Sequence, residues 1–389
     1  MSVSAKHVNH DPVPDRRPPK NLVPLDIPIR RSAEGQGLDG LPQSARVLVI
    51  RLRSMGDTVL LTPALRLLHD WRPDLRLSVL LDRPWDELLA NNSVIDSVLT
   101  TGGKLETLWR VRRAKFDAVV NLHGGPTSAQ ITQVSGARLR VGLAHFRSQT
   151  AYNVIVPRAE EVFSRSLSPE NTVFHTAEHA ASVMGWLGVP LRLIPRAELF
   201  PSREAKERVR AHLAAMGLDS LANYAVIHPA ALYATKQWSA AGFAGIVAHL
   251  ENRHGLRTVF LGAKGDEDTI SGIEKQRSSP LLRAIGWPFS DMMALLAGAR
   301  VFLGNDSGPA HAAAALGVPV AVIFGSSSSA IWGPWRAASS AIIQNPFDCN
   351  PCAGDRCHAF GEPHCILSIA PEQVREAIDG LLASRSNVA

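Results

Sequence analysis

Arg46-Val47-Leu48-Val49-Ile50-Arg51-Leu52-Arg53-Ser54-Met55-Gly56-Asp57 is the stretch on which the fold turns. Its apolar run, Val47 to Ile50, does not alternate with polar residues, which is the pattern of a strand covered on both faces and hence of a parallel sheet. A turn over residues 52–57 follows. Leu60, Leu61, Ala64, Leu65, Leu67 and Leu68 then recur at helical spacing, with Pro73 just past the end. Strand, turn and helix in this order predict an α/β unit.

Outward from it the unit repeats. Further strands are predicted at residues 75–81, 94–99, 118–122 and 139–143, with intervals suited to right-handed crossovers. Residues 171–187 read as a helix stopped at Gly188, and Pro190, Pro195 and Pro201 punctuate a linker. A second series opens with a helix at 203–216 and continues with strands at 224–227, 258–261, 301–303 and 318–324. The expected architecture is α/β: two Rossmann-like, doubly wound domains, residues 46–190 and 191–370, facing a central cleft. A loose, basic, Pro-rich tail (1–45) precedes them. A last helix at 371–382, within the closing segment 371–389, is a candidate to pack back across the domain boundary.

Composition limits the function classes. A chain of 389 residues with 46% hydrophobic and 20% charged residues has the usage of a soluble globular protein of two domains. Residues 1–44 lack the apolar core of a secretory signal, and the weakly polar stretch 310–325 is interrupted by His311, Gly317 and Pro319. The expectation is a cytoplasmic protein with reduced thiols. The net charge of +6 is unevenly placed. Lys104, Arg110, Arg112, Arg113, Lys115, Arg138, Arg140 and Arg147 stand against Glu106 and Asp117 alone in residues 101–150. Two readings are open, a face for an anionic partner and a set of separately solvated charges. Nucleic acid is disfavoured, because aromatic residues do not interleave with these charges as a stacking platform requires.

In open parallel sheets ligands bind beyond the carboxyl ends of strands, so the turns there are the candidate sites. Gly304-Asn305-Asp306-Ser307-Gly308-Pro309-Ala310-His311 follows one strand and opens an Ala-rich helix. Pro309 suits the first helical turn, and Asp306 or Ser307 can cap it. The competing reading is an anion site on free N–H groups, with Gly308 permitting close approach and His311 pointing the same way. A second turn carries His228-Pro229 and then Lys236-Gln237-Trp238; a third is Gly262-Ala263-Lys264-Gly265-Asp266-Glu267, with acids placed for ribose hydroxyls or for a helix dipole. Three such turns in one half of the chain favour a nucleotide site. Asp57, in the first half, either caps the helix that follows or faces the cleft as a base for an acceptor hydroxyl. Neither a phosphate-binding loop of the glycine-lysine-serine type nor the dinucleotide fingerprint is present, which weakens kinase and dehydrogenase readings.

Ser54-Met55-Gly56-Asp57 with Thr62-Pro63-Ala64-Leu65, then Lys236-Gln237-Trp238, then the 304–311 segment resemble in order and spacing the heptosyltransferases of glycosyltransferase family 9. The likeness runs from about Arg46 to the final helix. It implies a GT-B fold, inversion at the anomeric carbon, a nucleotide-sugar donor, typically ADP-heptose, and no metal for transfer. By the same resemblance Asp57 matches the general base and Lys236 the lysine that meets the donor diphosphate. Asp306, Ser307, Gly308 and His311 match the donor loop, and Asp266 or Glu267 the ribose-binding acid. Ser54, Met55 and Gly56, with His123 and Gly124 of the loop His123-Gly124-Gly125-Pro126, fall on the acceptor side. The sequence departs from the family pattern in that loop and at Gln237, where an arginine is often found. The implied acceptor is an anionic glycolipid of the lipopolysaccharide core. A protein or another surface polysaccharide as acceptor, and a nucleotide-sugar-binding protein without catalysis, stay open, as does contact of the tail with the inner face of the membrane.

Cys349, Cys352, Cys357 and Cys365 crowd one Pro- and Gly-containing segment, 349–365. Their spacing allows a tetrahedral thiolate site for structural zinc or iron, and equally four thiols.

Overall fold

Strand β1 (Arg46–Ile50) lies at the centre of a parallel sheet in the computed structural model, which describes residues 37–163, 173–218, 223–352 and 354–386. After it come α1 (Met55–Trp71), β2 (Arg76–Leu81), β3 (Ser97–Thr100), α2 (Lys104–Arg113), β4 (Ala118–Asn121) and α3 (Pro126–Ser135). The first lobe is completed by β5 (Leu139–Leu143), β6 (Val154–Val156), α4 (Ala159–Val162) and α5 (Thr176–Trp186). The second lobe opens with α6 (Arg203–Ala215), β7 (Tyr224–His228), α7 (Ala240–His254), β8 (Arg257–Gly262), α8 (Glu267–Glu274) and β9 (Leu282–Ile285). It continues with α9 (Phe289–Gly298), β10 (Phe302–Asn305), α10 (Gly308–Ala315), β11 (Val320–Ile323), α11 (Ser329–Trp332), β12 (Ser340–Ile343), α12 (His364–Leu367) and α13 (Pro371–Ser386).

The sheets run β3-β2-β1-β4-β5-β6 and β12-β11-β10-β7-β8-β9, every pair parallel. Each has the same winding: three strands built outward one way, then three the other. The reversal points lie between β1 and β4 and between β7 and β10, and crevices for ligands open at such points. Side chains alternate between the sheet faces. Val47 and Val49 join one apolar cluster, while Leu48 and Ile50 join another with Phe116 and Ile131 under α2 and α3. In the second sheet Val320 and Val322 face one way, Ala321 and Ile323 the other. Burial on both faces is what the unbroken apolar runs encode.

Helix α1 contains Pro63, which cannot donate to the carbonyl of Val59. Thr62 Oγ1 donates to it instead at 2.8 Å and accepts the Glu198 N–H of the interlobe segment at 3.1 Å. The Thr62-Pro63 pair thus fixes both the helix and the path of the linker.

Two segments differ from the sequence reading. Residues 37–45, read as the end of the tail, are packed: Leu38 is wholly buried, its N–H bonds Leu187 O, and Arg72 holds the carbonyls of Leu38 and Leu41. The rest of the tail, residues 1–36, lies outside the described residues. Helix α13, read as a candidate to cross the boundary, packs on α7, β11 and β12, because Val374, Ile378, Leu381 and Leu382 complete the apolar cluster of the second lobe. Other groups join the lobes: the Trp85 and Phe289 rings stack at 5.1 Å, Glu87 accepts the Ser290 N–H at 3.0 Å, and His175 Nε2 meets Gly333 O at 2.8 Å. Among the described residues no helix is long and apolar enough to cross a membrane.

Candidate active site

The turns after β1 and β4 flank the reversal point of the first sheet, and those after β7 and β10 that of the second. Helix α1 begins at Met55, so Ser54 is its N-cap and Asp57 its third residue, not the cap itself. Ser54 N and Oγ both donate to Asp57 Oδ2, at 3.2 and 3.3 Å. The other oxygen, Oδ1, accepts from Arg51 Nη2, while Arg51 Nη1 reaches Leu122 O after β4. Asp57 therefore serves the helix start and also faces inward: its side chain is 18% exposed and borders a cavity of about 570 Å³ in the first lobe.

That cavity is lined by His123, by His145 and Phe146 after β5, by Arg158 and Glu160 at α4, and by His179 of α5. Its volume falls within the range, roughly 300–1,000 Å³, of small-molecule sites. Burial lowers the pKa of His123, His145 and His179, with nearby Arg51 and Arg53 adding to the effect at His123 and Arg158 at His145. All three rings are therefore neutral at neutral pH. Glu160 Oε2 is buried with no hydrogen-bond partner among the described residues. Only Asp57 and His123 of these wall residues stood out in the sequence. The others come from turns with no motif, and the one local signal was at Arg51, a charge that ends an apolar strand.

Of the other residues expected on the acceptor side, Met55 and Gly56 face the second lobe, not the cavity. A Cβ on Gly56 would stand 2.9 Å from His311 Cδ2, and one on Gly308 would stand 2.8 Å from Met55 Cβ. Glycine at both positions lets the starts of α1 and α10 abut. Gly124, at φ +75°, turns the chain under the ring of Phe146.

In the second lobe Asn305 ties two turns together: Nδ2 donates to Pro229 O at 2.6 Å, and Oδ1 accepts the Trp238 N–H at 3.3 Å. Lys236 Nζ donates to Asp306 Oδ2 at 2.7 Å, and Ser327 Oγ to the same oxygen at 2.5 Å. Asp306, 5% exposed, is thereby neutralised. Neither residue proposed as a cap performs that role. Asp306 is engaged by Lys236 and Ser327, and Ser307 Oγ donates to Asn305 O, so α10 starts without a side-chain cap. His311, in its first turn, is buried with Nδ1 unpartnered among the described residues. Burial holds its pKa below the usual range, against the charges of Asp306 and Asp57 and with that of Lys236. The ring thus lies where the two lobes meet, against Gly56 of α1. Asp266 caps its own turn, Oδ2 accepting the Ala263 N–H at 2.7 Å, and Glu267 is exposed at the start of α8.

The cysteine segment touches this site. Cys352 N donates to Ser326 O at 2.9 Å, and Thr235 Oγ1 donates to Gly354 O at 2.8 Å, next to Lys236. Cys349, Cys352 and Cys357 all help raise the Cys365 thiol pKa, after burial, so the four stand within electrostatic reach. Zinc–sulfur bonds of about 2.3 Å set tetrahedral sulfurs about 3.8 Å apart. Among the described residues, the one group of three or more metal-ligating side chains with all ligand atoms within 4.8 Å of one another is His249, His254 and Asp379. The thiols do not form a closed tetrahedral site in this conformation.

Known proteins share this architecture. The chain is similar to the structure of a glycosyl transferase family 9 protein from Veillonella parvula, with a TM-score of 0.73 and 22% identity over 88% of this chain and 98% of that one. It is equally similar to E. coli ADP-heptose lps heptosyltransferase II, with a TM-score of 0.73 and 18% identity over 88% and 99%. These likenesses establish the two-lobed GT-B fold. In sequence it is 28% identical over 308 residues to lipopolysaccharide heptosyltransferase 3 of Escherichia coli, 75% of this chain and 86% of that protein. Lipopolysaccharide heptosyltransferase 1 of Pseudomonas aeruginosa is 22% identical over 372 residues, 87% of this chain and 98% of that protein. The family model described as glycosyltransferase family 9 (heptosyltransferase) matches residues 106–360, most of both lobes, and the chain belongs to that family.

Proposed function

We propose that the protein transfers a heptose from ADP-heptose to a hydroxyl of an anionic lipopolysaccharide-core acceptor, with inversion at the anomeric carbon and without a catalytic metal. The observation that carries the reading is the abutment of the start of α1, which holds Asp57, on the start of α10, beside which Lys236 pairs with Asp306. In the proposed step the acceptor oxygen bonds the anomeric carbon as the bond from that carbon to the diphosphate breaks. The hydroxyl proton passes to Asp57, and ADP leaves. Negative charge grows on the diphosphate, where Lys236 and the uncapped N–H groups of α10 stabilise it. Lys236 is shared with Asp306 before the donor arrives, so the diphosphate takes up an ammonium already held in position. The first-lobe cavity suits the acceptor: Glu160 Oε2 and neutral imidazoles accept from sugar hydroxyls, and Arg158 offers a charge to an anionic group. Asp266 or Glu267 is the proposed partner of the ribose.

The purified protein, given ADP-heptose and a lipopolysaccharide core lacking its outer heptose, is expected to release ADP and add one heptose. Mass spectrometry reads the addition, and NMR of the new linkage its configuration. Transfer from another nucleotide sugar alone would displace the donor, retention would displace the mechanism, and no transfer from any donor would overturn the enzymatic reading.

A further inference from the structure

We propose that the outer face of α2 docks the protein on an anionic lipid bilayer, with Leu105 and Trp109 at the headgroup level and the surrounding arginines and lysines on lipid phosphates. This surface lies outside the cleft and stands independently of the donor and acceptor chemistry. Helix α2 carries the chain from β3, at the edge of the first sheet, to β4, and it is anchored by Thr107 and Val111, both buried. At about 100° per residue the direction opposite these anchors is occupied by Leu105 and Trp109, one turn apart. They are 81% and 59% exposed.

Large apolar side chains at the crown of a solvent-facing helix are what a merely solvated face lacks. Arg113 flanks them on one side, with Lys104 and Lys115 at the ends, all exposed; Arg112, on the other side, is exposed but turns its guanidinium toward Ser135 O at 3.4 Å. The Arg113 guanidinium lies 5.0 Å from the centre of the Trp109 ring. The single acid of the helix, Glu106, faces Arg110 at 3.8 Å. An apolar ridge between rows of basic groups is complementary to an interface that offers acyl chains beneath a layer of phosphates, where tryptophan is at home. It also explains why the basic excess of residues 101–150 begins on this helix. The surface is linked to the cleft: Thr101, three residues before α2, donates to Asp82 at 2.6 Å, and Asp82 faces Arg53 of the turn that leads to Asp57.

The test is co-sedimentation of the full chain with vesicles of phosphatidylcholine alone and of phosphatidylcholine mixed with phosphatidylglycerol. Binding is expected to the mixed vesicles only and to weaken with salt. Leu105→Ser/Trp109→Ser should lower the partition by about tenfold or more with the thermal midpoint unchanged, and Arg112→Gln/Arg113→Gln should remove most of the salt dependence. Absence of binding by the unaltered chain would overturn the proposal. So would equal binding by the Leu105/Trp109 variant, which would move the contact elsewhere, for instance to residues 1–36. Self-association that this variant abolishes, without vesicle binding, would assign the face to a second copy of the chain.

Discussion

Asp57 divides its carboxylate between two tasks: Oδ2 closes the start of α1 with Ser54, and Oδ1 is held by Arg51. Arg51 is thus a positioning residue for the proposed base. Arg51→Gln is expected to lower kcat by roughly 10- to 100-fold, as misplaced catalytic groups do, with the KM for donor little changed and Arg51→Lys recovering part of the loss. ADP-release kinetics would read both, and an unaltered kcat in Arg51→Gln would mean that Ser54 alone orients the carboxylate. The sequence singled out Asp57 and left it between a helix cap and a base facing the cleft; the helix starts at Met55, three residues earlier than a cap at Asp57 would allow, which makes it a third-position acid. It offered no sign of the pairing of Lys236 with Asp306, since the partners are 70 residues apart and no local pattern joins them.

Interior strands were legible, and of the four edge strands only β3 was. Strands β1, β4, β7, β10 and β11 are buried on both faces and read as continuous apolar runs, whereas β6, β9 and β12, absent from the sequence reading, each have an exposed flank. The candidate site turns follow interior strands, which is why Asp57, Lys236 and the 304–311 segment stand out as candidates in the sequence alone. The start of α5 acts as a latch between lobes. His175 Nδ1 accepts the Ala177 N–H at 3.1 Å, so Nε2 carries the proton given to Gly333 O. Burial pushes its pKa down to about 4, whereas the unfolded chain takes up this proton near pH 6.5. Between those values the unfolded state binds more protons, so the neutral ring's contribution is whole above about pH 6.5 and declines as pH falls toward 4, by roughly 3 kcal/mol in all. The thermal midpoint of the unaltered protein should therefore drop more steeply from neutral to acid pH than that of His175→Gln. Parallel curves would remove His175 from the latch.

Over the whole molecule, one apolar cluster runs from the inner face of the first sheet through α1 and α5 to the second sheet. The lobes are accordingly joined by packing as well as by a linker, with the starts of α1 and α10 in contact where Gly56 meets His311. The cysteine segment supports the second lobe's half of the site through Ser326 and Thr235, so its integrity bears on the placement of Lys236. The proposed mechanism divides the labour between the lobes: the first would take the proton, and the second would hold the diphosphate. Asp57→Asn keeps the shape of the side chain and removes the base, so the most direct measurement is heptose transfer by this variant alongside its calorimetric affinity for ADP. Transfer is expected to fall by about 10²- to 10⁴-fold with ADP affinity unchanged; transfer at the unaltered rate, or loss of ADP binding in step with activity, would contradict it.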